Sequence, residues 1–238
     1  MRKHIPNIIT LTNLFCGCCA ALFVFYEQYS LAISFITAAL VADFLDGLVA
    51  RQLGVHSSLG KELDSLADLI SFGLVPGAIA FTFLCEGLEI DPLKSFPLAA
   101  LPAFMLPVFA ALRLAKFNLD KRQLTVFMGL PTPSCTIFFA GLLLAFHFDT
   151  FDLGHHIANP ILIYVCIAIF SVLMVSEIPM FSLKLGGLKL NENKEKFVFL
   201  IIFILALLLV RAFAFSLMIL LYVCYSIYLH LFSPKSQT

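Results

Sequence analysis

Asp43-Phe44-Leu45-Asp46-Gly47-Leu48-Val49-Ala50-Arg51 and, after an eight-residue spacer, Gly60-Lys61-Glu62-Leu63-Asp64-Ser65-Leu66-Ala67-Asp68 set four carboxylates in or beside two long apolar runs. Asp43 and Asp46 are three residues apart and Asp64 and Asp68 four apart, so on helices each pair occupies one face. The short connection 52–59 folds the second helix antiparallel to the first and lets the two acidic faces meet as a cluster of oxygen donors. A single Asp at a membrane centre costs about 2.5–3.5 kcal/mol, so four bare ones would cost on the order of 10 kcal/mol. They must lie near the membrane surface, be neutralised by cations, or both. Asp46 is five residues from Arg51, about 7.5 Å of helical rise, which puts the cluster close to a boundary.

The rest of the chain makes that membrane setting general. Of 238 residues, 61% are apolar and 13% charged, against roughly 45–50% and about 25% in soluble domains, which excludes a water-soluble single core. A span needs about 20 apolar residues. Candidate runs lie near 7–26, 30–51, 63–85, 96–117, 131–148, 158–180, 197–210 and 212–232. The fold class expected is an all-α, polytopic membrane helical bundle of about eight transmembrane helices, forming one domain over 1–238. The stretch 197–232 is too long for one span and is broken only by Arg211, with no Gly or Pro. A tight hairpin at Arg211 is expected; one long, tilted or kinked helix is the alternative.

With eight spans, one side collects Arg2, Lys3, Arg51, Lys61, Arg113, Lys116, Lys121, Arg122, Lys184, Lys189, Lys194, Lys196 and Lys235, thirteen of the fifteen cations. Both termini are therefore expected in the cytoplasm. Glu27, Glu86, Glu89, Asp91, Asp149 and Asp152 fall on the other face as solvated loop residues. Fifteen cations balance fifteen anions, so there is no basic field for nucleic acid. The seven cysteines, an odd number lying almost entirely within apolar runs, read as reduced membrane-core residues. The start Met1-Arg2-Lys3-His4 imitates a secretion signal, but the apolar stretch runs on to Tyr26 and further spans follow, so a retained first helix is expected. His56 reads as a loop residue, and His155-His156 falls on the side away from the aspartates.

An all-oxygen cluster without a nearby His or Cys pair suits hard divalent cations, Mg²⁺ or Mn²⁺, and four carboxylates suit two ions. Gly47, Ala50 and Gly60 strip bulk from the helix surface beside the carboxylates, admitting a flat or phosphate-bearing ligand. Close helix packing would explain these small residues taken alone. Arg51 could neutralise a phosphate, or snorkel as an ordinary helix-end cation. Asn7, Thr10 and Asn13 share one face of the first helix and could approach the metal cluster, interhelical hydrogen bonding being the ordinary alternative.

Asp43, Asp46, Gly47, Ala50, Arg51, Gly60, Asp64 and Asp68, eight fixed positions over 26 residues, resemble the signature D-x-x-D-G-x-x-A-R-x8-G-x-x-x-D-x-x-x-D of the CDP-alcohol phosphatidyltransferases. The resemblance implies a membrane helical fold and a divalent metal pair on Asp43, Asp46, Asp64 and Asp68. It implies a CDP-linked lipid whose diphosphate lies on those ions, with Asp68 as general base toward the acceptor hydroxyl and CMP as the leaving group. A homodimer is implied too. Asn7, Thr10, Gly47, Ala50, Arg51 and Gly60 are the residues expected around the CDP-lipid.

Further stretches resemble the membrane-integral phosphatidylserine synthase branch of that family: Ser71-Phe72-Gly73 with Pro76, Arg113-Leu114-Ala115-Lys116-Phe117-Asn118, Phe127-Met128-Gly129-Leu130-Pro131-Thr132-Pro133, and the opening from Ile5 to Gly17. Lys116 stands where that branch usually has Arg, keeping charge but losing bidentate geometry. Leu69 stands where the glycerol phosphate branch commonly has Lys. The expected partners are thus CDP-diacylglycerol, entering from membrane lipid, and L-serine, arriving from the cytosol. Arg113 or Lys116 would meet the serine carboxylate, and Ser71 and Asn118 would add hydrogen bonds. The active site is expected to face the cytoplasm from the cell membrane. Glycerol 3-phosphate or inositol as acceptor is the near alternative. A divalent-cation transporter is the distant one, and it leaves Gly47, Ala50 and Gly60 without a common purpose.

Overall fold

A computed structural model describes residues 4–55, 57–119, 128–148, 152, 154–180 and 194–232. Its helices are α1 (Ile5–Phe25), α2 (Tyr29–Leu53), α3 (Ser58–Leu69), α4 (Val75–Gly87), α5 (Met105–Leu119), α6 (Thr132–His147), α7 (Gly154–Ile157), α8 (Pro160–Val175), α9 (Lys194–Val210) and α10 (Ala214–Phe232). No strand occurs among the described residues, so the protein is all-α, as expected. Five stretches are long and apolar enough to cross a bilayer: Ile5–Phe25, Tyr29–Leu53, Ser58–Gly87, Leu98–Leu119 and Val198–Phe232. Helices α6 and α8 are apolar but have 16 residues each, about 24 Å of rise against a hydrocarbon core of about 30 Å.

The last apolar stretch reverses at the position expected. The rings of Phe203 and Phe215 lie 5.5 Å apart and those of Phe199 and Tyr225 5.3 Å apart. In one continuous helix the second pair would be separated by about 39 Å. A 3-10 turn, Arg211–Phe213, joins the two arms, with Arg211 at φ +48°.

The third apolar segment starts earlier than its hydropathy suggests, at Ser58 rather than near 63, because Ser57 caps it: the Gly60 amide donates to Ser57 Oγ at 2.9 Å. Helix α3 then runs into α4 through a π-helical turn, Ile70–Leu74. Pro76, just beyond, has no N–H for an i→i−4 bond and its ring crowds the carbonyl one turn back. The wider turn accommodates it and carries Ser71 and Gly73 into the interior. There, a Cβ on Gly73 would stand 3.0 Å from Ala110 Cβ, so glycine lets α5 approach.

Helices α1 and α2 form a tight antiparallel hairpin. Ala20, Ala21, Ala32, Ala39 and Ala42 are buried along the pair, the small-residue seam by which membrane helices approach closely. Phe23 stacks on Phe35 at one end, with ring centroids 5.4 Å apart. Gly54, at φ +62°, closes α2 by donating to the Ala50 and Arg51 carbonyls. Helix α1 also packs against α3, the π turn and α4.

The sequence reading had α2 and α3 fold face to face. Instead, α1 is the common neighbour of both, and the backbones of α2 and α3 barely approach. Their carboxylates meet across a gap. The main core lies deeper, where Phe83, Phe139, Phe170, Ile79, Leu84 and Leu143 are fully buried and Phe138 stacks on Phe170 at 4.3 Å. Gly129 serves this core: at φ +72° its amide donates to the Ile178 carbonyl, and a Cβ there would lie 2.6 Å from the Met174 carbonyl oxygen.

Candidate active site

Asp46 is buried near the C-terminal end of α2 and accepts a 2.6 Å hydrogen bond from the Thr10 hydroxyl of α1. Asp43 lies one turn earlier on α2, and Asp64 and Asp68 occupy successive turns of α3. One carboxylate oxygen from each of Asp43, Asp64 and Asp68 lies within 4.8 Å of the others. Asp46 stands outside this trio, close enough to repel Asp43 and Asp64. The gap between α2 and α3 is the space in which the three acids converge.

Like charges this close need a counter-ion or a shared proton. Arg113, buried on α5, faces Asp68 and supplies one positive charge, with its guanidinium 5.8 Å from the Phe117 ring centre. Asp68 Oδ1 is buried without a hydrogen-bond partner, as is Arg113 Nε. An orphaned carboxylate oxygen beside two further carboxylates is a donor that a cation could use. Oxygen donors alone, with no His or Cys in the group, fit a hard divalent cation.

Beside the acids opens a cavity of about 500 Å³ lined by Pro6, Asn7 and Thr10 of α1, Asp46, Gly47 and Ala50 of α2, and Val55, Ser57, Ser58, Gly60, Lys61 and Asp64. Gly47 leaves its wall bare, since a Cβ there would meet nothing within 4 Å. Gly60 acts differently: a Cβ there would stand 2.8 Å from Ser57 Oγ and 3.2 Å from Asn7 Oδ1, so its absence preserves the cap and the Asn7 amide.

The sequence model of the CDP-alcohol phosphatidyltransferases matches residues 3–172. The chain belongs to the CDP-alcohol phosphatidyltransferase family. It is 35% identical over 176 residues to a Bacillus subtilis protein named CDP-diacylglycerol–serine O-phosphatidyltransferase, covering 74% of this chain and 89% of that one. Proteins of the same name from Helicobacter pylori and Saccharomyces cerevisiae are 33% and 36% identical, over 56% and 58% of this chain and 54% and 53% of their own lengths.

Of the residues expected around the CDP-lipid, the cavity brings together Asn7, Thr10, Gly47, Ala50 and Gly60, while Arg51 is exposed and outside the lining. The residues expected at the acceptor do not form one group. Arg113 is near enough to Asp68 for their charges to interact. Ser71 is buried in the π turn and donates to the Asn13 carbonyl at 3.0 Å, locking α3 to α1. Lys116 Nζ reaches the Val175 carbonyl at 3.5 Å, and Asn118 Nδ2 donates to Ser65 Oγ at 2.8 Å.

Lys61 is the lining residue that the sequence reading left among ordinary boundary cations. It donates from Nζ to the Asn118 carbonyl at 2.9 Å and so ties α3 to α5 at the cavity edge. Its position directly after Gly60 was the available signal. His56, Lys121, Arg122, Phe127, Asp149, Lys184, Lys189 and Lys235 lie outside the described residues.

Proposed function

We propose that this phosphatidyltransferase moves the phosphatidyl group of CDP-diacylglycerol to the hydroxyl of L-serine, releasing CMP. The observation that carries the reading is the convergence of Asp43, Asp64 and Asp68, with an orphaned Asp68 oxygen, next to the bare-walled cavity at Gly47. The names of the relatives support serine as acceptor. Cytidine diphosphate occupies the cavity among Asn7, Thr10, Gly47, Ala50 and Gly60, and the acyl chains stay in the bilayer. Asp43, Asp46, Asp64 and Asp68 hold two divalent cations, Mg²⁺ or Mn²⁺, which when bound offset charge on the diphosphate and on the departing CMP.

Asp68 accepts the proton of the serine hydroxyl. That oxygen bonds to the phosphorus carrying diacylglycerol as the phosphorus–oxygen bond to CMP breaks. Arg113, on the side of Asp68, is the cation best placed for the serine carboxylate, whereas Lys116 and Asn118 hold helix ends. Arg51, at the exposed end of α2, screens phosphate from outside the lining. The site faces the cytoplasm of the cell membrane, and the assembly is a homodimer, as in the family the sequence resembles.

Purified protein given labelled CDP-diacylglycerol tests the acceptor. CMP release should require serine, with glycerol 3-phosphate and inositol inactive. Release with either of those and not with serine replaces the acceptor, and cation flux into liposomes without CMP release replaces the enzyme by a transporter.

A further inference from the structure

We infer that Asn13 is a positioning residue for the acidic cluster, its side-chain amide engaging the Asp43 carboxylate when the divalent cations proposed above are bound. Asn13 is fully buried, yet neither Nδ2 nor Oδ1 has a hydrogen-bond partner. Its backbone carbonyl does have one, the Ser71 hydroxyl at 3.0 Å, so the residue is pinned against the turn that follows Asp68. The register of the α1–α2 hairpin identifies its neighbour. Phe23 stacks on Phe35 and Thr10 bonds Asp46; three residues beyond Thr10 on α1 corresponds to three residues before Asp46 on α2, which is Asp43. A helical side chain leans toward its helix N-terminus, carrying the Asn13 amide from the level of Ser71 toward the aspartates. Thr10 already serves Asp46 in this way, and Asn13 repeats the arrangement one turn deeper with its donor unspent. A purely structural asparagine side chain would bond the neighbouring helix, and the Asn13 side chain has no hydrogen-bond partner.

The inference rests on the metal reading of the cluster, and Mn²⁺ binding measured without substrate separates the two. Free Mn²⁺ is followed by electron paramagnetic resonance during titration of purified wild type and Asn13→Leu, and thermal unfolding of both is recorded in EDTA. Asn13→Leu should unfold no lower than wild type in EDTA, because two unsatisfied buried atoms are removed. It should bind Mn²⁺ at least about tenfold more weakly, the usual loss when an outer partner of a metal ligand is removed. On an Asp43→Asn background the same substitution should add little, since the amide acts through Asp43. Equal Mn²⁺ affinity in wild type and Asn13→Leu overturns the inference and leaves the metal reading standing. If Asn13→Leu does not fold, Asn13→Ala is read by the same titration. A wild type that binds no Mn²⁺ overturns both.

Discussion

Single atoms carry the chemistry here, and Asp68 and Asp46 do different things with the same functional group. Asp68 has a buried oxygen without a partner, whereas Asp46 is held by Thr10 at 2.6 Å in the cavity lining. Asp68→Asn should therefore retain CDP-lipid binding while losing turnover by on the order of 10²-fold or more, the range for a lost general base. Asp46→Ala should weaken both binding and turnover. Binding of a labelled CDP-lipid together with CMP release distinguishes them, and wild-type activity in either variant refutes the role assigned to it. Gly47 offers a cleaner separation of stability from function. Leucine there meets no neighbour at Cβ and favours the helix by roughly 1 kcal/mol, so Gly47→Leu should melt no lower than wild type. Its side chain would project from the cavity wall and should raise KM for CDP-diacylglycerol by about tenfold; an unchanged KM would show that the nucleotide lies elsewhere.

At the scale of helices, glycine fixes how closely the late elements dock on the catalytic half. Gly141 of α6 faces α10, where a Cβ would lie 2.8 Å from the Ser216 amide nitrogen. The Ser216 hydroxyl donates across the same contact to the Phe138 carbonyl at 2.7 Å. Gly141→Val should therefore push the hairpin α9–α10 away and cost about 1–3 kcal/mol, as overpacking usually does. Thermal unfolding in a fixed lipid or detergent reports it, and a melting temperature equal to wild type would mean that this contact does not hold the hairpin. The π turn is the other decisive element. It lets one 30-residue helical stretch, Ser58–Gly87, carry Asp64, Asp68 and a buried proline.

Over the whole molecule, cation binding by the acidic cluster, as proposed, would make folding and cation binding one equilibrium. The trio Asp43, Asp64 and Asp68 repel one another in the folded protein and separate on unfolding, so a cation that binds only the folded state stabilises it. EDTA should lower the melting temperature and abolish CMP release, and Mg²⁺ or Mn²⁺ should restore both. At a hundred times its dissociation constant, the cation contributes about 2.7 kcal/mol. A melting temperature indifferent to EDTA and to added Mn²⁺ would refute cation holding by these carboxylates. The outer surface of α9, where Leu208 and Leu209 are 75% and 72% exposed, is apolar as lipid contact requires.

Hydropathy and spacing alone determined the all-α membrane class and the aspartates and small residues that gather at one site, and they favoured a hairpin at Arg211 over one long helix. Those features follow from local chemistry: apolar runs without charge must be helical in a bilayer, and three- or four-residue spacing puts side chains on one face. Only the tertiary structure decided that α1, lying against both aspartate helices, keeps α2 and α3 apart, that Asp46 belongs to Thr10 while the other three acids converge, and that Ser71, Lys116 and Asn118 bind neighbouring helices. The reason is that a polar side chain takes whichever partner the packing of distant segments brings within about 3 Å, and sequence spacing carries no record of that distance.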